Sequence, residues 1–505
     1  MKINKKIVSS VAGASMVLTL LGFLSKGIGF IREIIYANNF GLSPEFDLFL
    51  TSVALPNLIN TSVIYISQHY FVPSYNRIKK ISEADSIEFF NYMFWWFMIG
   101  GAFLAIILYL TSGLIFNSYL ASVSIEKQQL AVKIFMMFLI TLPMNAGMSI
   151  IMAFQQANFK FTYPAISMIL LNVVVIVLVL LFSDLLSILI LPISFVAAYF
   201  SAFIFLIVLV KGTLKFLYKD LFKIKYKLSE LGILLILIII EVSSLSYVLI
   251  DRYFISDISV GGISALNYAF VIFSLPISLF SIPLITTMFS KFSNSPETLQ
   301  VDYKNSLSMN FFIMIPFMFI LFFWGDHFLR LFYERGRFTA SDTLTTYTAL
   351  KYYSLSLVFL SSYFLFVKVV YSTNQYLFVL KISVIAFLLK LLLNILLVKE
   401  FQQNGLALST SIIYAFLCIS SFFFLIIKNK YLEKQSIIVT LMYFMINGFI
   451  AYLISHLLFA NSNLLLIDLK IVVVPVFIIT YILNSFILND NEFRNIIITV
   501  IKIFK

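Results

Sequence analysis

Apolar residues run along this chain in blocks of about 18 to 25, the length a helix rising 1.5 Å per residue needs to cross a hydrocarbon layer of roughly 30 Å. Polar residues gather between the blocks. Read window by window, the pattern predicts fourteen helical spans, near 8–36, 46–72, 88–112, 131–154, 163–182, 186–210, 231–254, 265–289, 309–332, 353–372, 377–398, 406–427, 437–459 and 469–488. The longest connections, about 211–230 and 325–352, are too short for a separate catalytic domain. The basic start, Met1 to Lys6 before the apolar run from Ile7, lacks a convincing small-x-small cleavage site and is expected to enter an uncleaved first helix.

Composition sharpens this into an all-α integral membrane protein: 61% of the 505 residues are hydrophobic and 11% charged, less than half the charged share usual for a soluble domain. The net charge of +12 does not point to nucleic acid, because 21 of the 35 lysines and arginines fall in alternate connections. By the positive-inside rule these connections are cytoplasmic, and so are both termini. The stretch 211–230, where lysines alternate with Phe216, Leu217, Tyr218 and Phe222, is expected to lie on an anionic membrane surface. The lone cysteine, Cys418, sits in a span, and His69, His327 and His456 lack ligand spacing, so no metal site is expected. No phosphate-cradling glycine loop appears, which argues against ATP hydrolysis and leaves membrane potential or an ion gradient as the drive, with no cofactor.

A weak internal repeat predicts two halves. Phe154 to Phe161 precedes a span containing Asn172, and Tyr371 to Phe378 precedes a span containing Asn394, six spans later. An even offset makes the repeats parallel, with the polar site expected between them. The predicted organisation is a lobe over 1–210, a basic linker over 211–230, a second lobe over 231–427 and a C-terminal helix pair over 428–505.

Ionisable residues inside spans mark candidate sites. Lys26, Arg32 and Glu33 crowd the first span; Lys26 and Glu33 share a face, and Arg32 points about 100° away. They line a cavity or, for Arg32 and Glu33, anchor the helix at the outer interface. Asp47 and Asn57, beside Pro56, either face the same cavity or serve only as helix start and kink. Glu241 lies roughly ten residues, or ~15 Å, inside the seventh span, a candidate for ion coupling or one half of a structural pair. Asp251 and Arg252, being adjacent, are expected to pair with different neighbours. Lys390 is too deep to snorkel easily and is expected to face a cavity. Cations outnumber acids in this set, which suits an anionic ligand such as a diphosphate.

Several stretches carry a resemblance: GlyPheIleArgGluIleIleTyrAlaAsnAsnPheGly from Gly29, Asp47 with LeuProAsnLeu from Leu55, IleAspArg from Ile250, SerAlaLeuAsnTyrAla from Ser264, and GluArgGlyArgPheThrAlaSerAsp from Glu334. In this order they resemble the MurJ/MviN family of lipid II flippases, within the multidrug/oligosaccharidyl-lipid/polysaccharide exporter superfamily. The resemblance implies two six-helix lobes around a cationic cavity, two further C-terminal helices forming a groove for a polyprenyl tail, and no enzymatic activity. It implies a bacterial cytoplasmic membrane protein that flips a polyprenyl-diphosphate-linked saccharide by alternating access, with membrane lipids and cell-envelope synthesis proteins as further partners. Family cavity arginines of helix 1 match Arg32 and, as lysine, Lys26. Those of helices 2 and 8 fall at Asn60 or Thr61 and at Val271, and Lys390 stands where asparagine is expected. A surface-polysaccharide repeat unit therefore stands as the alternative cargo, and a cation-coupled multidrug exporter as a more distant alternative.

Overall fold

The computed structural model describes residues 11–120, 123–215, 231–255, 260–285, 299–373, 375–428, 434–460 and 470–488. The basic stretch 216–230 and the first ten residues lie outside them. The described residues form helices and no strand. In chain order these are α1 (Val11–Phe40), α2 (Pro44–Ile66), α3 (Val72–Lys79), α4 (Glu83–Tyr119), α5 (Ile125–Leu139), α6 (Thr141–Ala157), α7 (Thr162–Leu186) and α8 (Ile190–Val210). After them come α9 (Leu231–Ile255), α10 (Gly262–Pro276), α11 (Leu299–Tyr333), α12 (Ala340–Ser354), α13 (Leu357–Ser372), α14 (Tyr376–Phe401), α15 (Gln403–Lys428), α16 (Lys434–Ala460) and α17 (Lys470–Leu488).

In its described residues each of the fourteen expected spans falls on helix, two of them as broken pairs, α5 with α6, and α12 with α13, the latter bent by 44°. Nine continuous described stretches are long and apolar enough to cross a membrane by length and composition alone, or ten with the bent pair. That count takes Thr162–Val210 as one stretch, yet Ser187, at φ +47°, turns the chain so that α7 and α8 pack side by side. Phe103, Ile106, Leu110 and Leu114 are exposed at three- and four-residue spacing along α4, a continuous apolar face of the kind that lipid covers.

By contacts the chain divides into two compact units, one running to Ser264 and taking in Arg335–Phe338, the other holding Ala265–Glu334 and the chain from Thr339. Within the first, aromatic packing fixes α3, α4 and α6: Phe71 stacks on Phe89 at 5.5 Å and Phe90 on Phe154 at 4.2 Å. Helix α9 packs along α2, so by contact it belongs with this unit although by repeat it opens the second half. The start of the linker is pinned to α4, where the Asn91 amide and the Trp95 indole bond the backbone of Thr213 and Lys215.

Internally the two halves repeat the same backbone devices six spans apart. A π-helical turn interrupts the second span at Ser67–Phe71 and the eighth at Ile277–Ser281. The fourth span breaks at Ile140 and the tenth at Leu355, both with φ −58° and ψ −26°. Spans five and six turn at Ser187 (φ +47°, ψ −133°), and eleven and twelve at Gln402 (φ +50°, ψ −132°). These shared geometries establish a parallel repeat more firmly than the Asn172/Asn394 correspondence alone.

In the second unit, α11 is kinked at Trp324 (φ −131°), and the Tyr347 hydroxyl donates to the Phe322 carbonyl there at 2.8 Å. The C-terminal pair is knitted by the Asn447 amide, which donates to Tyr481 O (3.1 Å) and Ser485 Oγ (2.6 Å). It packs on α11, with Tyr452 stacked on Phe323 at 3.8 Å. The motif from Glu334 proves to be a turn and cap. Gly336 takes φ +58°, and Thr339 with Asp342 forms a capping box for α12.

The α14/α15 hairpin leaves no room at Gly405, where a Cβ would stand 2.5 Å from Leu397 O. Gly405→Ala is expected to destabilise the protein by about 1–3 kcal/mol, seen as a lowered melting temperature in detergent; an unchanged melting curve would show that the hairpin can shift to accommodate it.

Candidate substrate-binding site

The residues expected to bind together fall into three separate settings. The first is on α1. Arg32 is half-buried, and its Nη2 and Nε donate to Glu33 Oε1 at 2.6 and 3.3 Å. Its Nη1 donates to Asn172 Oδ1 on α7 at 2.9 Å. The guanidinium carbon lies 5.5 Å from the ring centres of both Tyr36 and Phe195. Helical geometry separates neighbouring side chains by about 100°, yet here the long arginine arm swings back to its neighbour. Three of the five guanidinium N–H groups are thus engaged and the plane lies against two rings, which leaves two N–H donors beyond these contacts. Lys26 is exposed on the same helix, and a Cβ added at Gly22 or Gly27 would meet nothing within 4 Å. The sequence singled out Asn172 as a repeat marker, not a site residue; an amide in an otherwise apolar span was the signal for its second role.

The second setting joins α2 to the start of α10. Asp47 is buried, and its carboxylate accepts from Gly261 N (2.6 Å), Ser264 N (2.7 Å) and the Ser264 hydroxyl. Amides at a helix start have no partner within their own helix and attract negative charge. Asp47 therefore caps a helix more than 200 residues further along the chain. One turn on, the Leu50 carbonyl accepts from Arg252, whose partner is a backbone group and not its neighbour Asp251. Asn57 is exposed, and its carbonyl accepts from Thr61 Oγ1 at 2.8 Å. The loop residue Arg337 donates its backbone N–H to Asn38 O at 2.9 Å, an approach that needs Gly41 at φ +55°.

The third lies in the second unit. Lys390 has no exposed surface; its ammonium donates to Leu406 O (3.1 Å), Ser409 Oγ (2.8 Å) and Thr410 Oγ1 (2.6 Å) of α15. Ser409 in turn donates to Asn394 Oδ1 at 2.6 Å. This lysine is enclosed by oxygens of the neighbouring helix. Glu241 is half-buried on α9, its backbone carbonyl accepting from Ser244 Oγ. Where the resemblance led one to expect arginines, Asn60 is buried and donates to Thr141 Oγ1, Thr61 is exposed, and Val271 is half-buried. Among the described residues no group of three or more His, Cys, Asp or Glu could hold a metal.

Comparison with known proteins agrees with this architecture. The family described as lipid II flippase MurJ matches residues 36–474. A probable lipid II flippase MurJ of Buchnera aphidicola subsp. Schizaphis graminum is 27% identical over 429 residues, covering 78% of this chain and 79% of the relative. A solved lipid II flippase MurJ in an inward closed conformation superposes with a TM-score of 0.82 at 23% identity, over 94% of this chain and 98% of its own. An inward-facing multidrug transporter of the MATE family shares the fold more distantly, with a TM-score of 0.62 at 12% identity over 82% of this chain and 98% of its own.

The Asp47 cap generates a prediction. Asp47→Asn replaces an acceptor oxygen by a donor facing amides, at a cost of about 1–3 kcal/mol. Faster amide hydrogen exchange at 261–264 than in the wild type is expected; unchanged exchange there would mean the cap does not hold the start of α10.

Proposed function

Because this chain belongs to the lipid II flippase MurJ family, we propose that it moves a polyprenyl-diphosphate-linked saccharide, lipid II in the first instance, from the inner to the outer leaflet of a bacterial cytoplasmic membrane. It does so by alternating access, with both termini in the cytoplasm and without catalysing a reaction. The observation that carries this reading is Arg32, a guanidinium fixed on four sides inside a span and still able to donate twice. A diphosphate is the matching anion, because its oxygens accept a planar fork bidentately. Lys26, exposed on the same helix, supplies a second charge. Glu33, Asp47, Asn57 and Arg252 order the surroundings: Glu33 aims the fork, and Asp47 and Arg252 fasten α2 to its neighbours. Lys390 supplies a fixed buried charge in the second unit. Membrane potential or an ion gradient drives the cycle, and Glu241 is the carboxyl proposed to couple it.

Uncharged Asn60, Thr61 and Val271 favour a second cargo, a surface-polysaccharide repeat unit on the same lipid diphosphate, since fewer cations meet the head group. Both cargoes share the diphosphate, so both require Arg32. Arg32→Lys keeps the charge but loses the fork, and is expected to lower flipping in proteoliposomes by at least about tenfold, some 1.4 kcal/mol, at unchanged membrane insertion. Full activity of the variant would remove the diphosphate grip. Complementation of cells depleted of their lipid II flippase separates the cargoes. Growth supports lipid II, and failure of a correctly inserted protein supports the other glycan.

A further inference from the structure

We infer that the second span carries a saccharide subsite, a ladder formed by Asn57, Thr61, Tyr65 and His69 with Gln68 beside it, which receives the sugar of the lipid-linked cargo. The inference rests on the flippase reading above and adds the part of the cargo that Arg32 does not address.

The four ladder residues recur every fourth position on α2 and its π-helical continuation, which places them along one side of the helix. Asn57, Thr61, Gln68 and His69 are exposed and Tyr65 is half-buried. The hydroxyl of Thr61 and the ring of His69 bond backbone carbonyls, but the exposed amides of Asn57 and Gln68 would be costly against hydrocarbon, which favours a wetted setting for this side of the span. The opposite side is packed: Ser52 and Pro56 are buried there, and beside them Asn60 is buried and bonded to Thr141.

The rungs are held in place. Thr61 Oγ1 donates to Asn57 O at 2.8 Å, and His69 Nδ1 lies 3.0 Å from Tyr65 O, one turn back. The imidazole and phenol rings stack with centres 4.0 Å apart and planes 24° from parallel. They make a small two-ring platform, with Gln68 next to it in the chain and the Thr61 hydroxyl and the Asn57 amide one and two turns before Tyr65. Ring faces that cover the C–H side of a sugar, together with neutral groups that both donate and accept, suit a polyhydroxylated ring. The ladder itself has no fixed charge, so it lacks what a diphosphate needs and complements the charged Arg32 setting.

The repeat provides an internal control. The eighth span has the same π-helical turn at Ile277–Ser281, but there Ser281 is buried on Asn310 and Phe280 stacks on Phe317. The turn therefore does not by itself demand polar exposure. Only in the second span does it present Gln68 and His69.

Dissociation constants of the detergent-solubilised full chain for polyprenyl diphosphate, with and without an attached disaccharide, test the subsite. Wild type is expected to bind the saccharide-bearing lipid more tightly. The double variant Tyr65→Leu/His69→Leu is expected to lose that gain, on the order of tenfold, while its affinity for sugar-free polyprenyl diphosphate stays the same. Should the double variant not fold, Gln68→Leu at an exposed position carries the test, with a loss of about threefold, as for one net hydrogen bond. A gain that persists in the folded variants, a parallel fall in both affinities, or no gain in the wild type would overturn the subsite. Wild type binding neither lipid would instead overturn the flippase reading on which it rests.

Discussion

Hydrocarbon offers no hydrogen bonds, so every polar group carried into the membrane must be satisfied by protein or by enclosed water. The distinctive features of this chain are local answers to that constraint. Where α11 kinks at Trp324, the freed Phe322 carbonyl is taken by Tyr347. Where α10 starts, its amides are taken by Asp47. Where Asn447 enters the C-terminal pair, it ties α16 to α17 through Tyr481 and Ser485. In each case a group that would destabilise a lone helix becomes the bond that fixes its neighbour.

The two deep cations show how the same requirement yields different capacities. Lys390 meets oxygens on one adjacent helix, and a compact ammonium with three donors is well matched by two hydroxyls and a carbonyl. Arg32 meets a carboxylate, an amide and two ring faces, and its five-donor fork exceeds what those partners use. A site able to grip and release cargo needs orientation together with spare donors. By that criterion Arg32 meets the geometric requirement that the proposed diphosphate grip makes, whereas the oxygens around Lys390 account for its burial within its own unit.

The span count and the parallel halves were legible in the sequence because each depends on local periodicity or on a spacing of six spans, whereas the breaks at Ile140 and Leu355 interrupt spans that the apolar pattern reads as continuous. The pairs were less so. Arg32 with Glu33 defies the usual separation of adjacent helical residues through arm length alone, which no periodicity reports. Asp47 read either as a cavity residue or as a helix start; it lies in the first turn of a helix that Ser43 caps. Its carboxylate's role depends on Gly261 and Ser264, brought near by tertiary packing. Lys390 read correctly as deep, but its oxygens belong to α15, and sequence depth says nothing about which neighbour a helix turns toward. The motif from Glu334 drew notice as a signature and turns out to encode a glycine turn and a capping box.

A repeat fold separates scaffold from function by subtraction. Devices present in both halves, such as the π-helical turns, the breaks at Ile140 and Leu355 and the turns at Ser187 and Gln402, are explained by the architecture they share. Side chains that differ at matching places call for another cause. Asn172 receives a guanidinium from a different helix, whereas Asn394 receives the hydroxyl of Ser409, itself bonded to a lysine of Asn394's own helix. The second span exposes an amide and an imidazole at its π-helical turn, whereas the eighth exposes a phenyl ring. In the first half these polar groups are half-buried or exposed, whereas in the second the matching amide is enclosed in a buried network with Ser409 and Lys390.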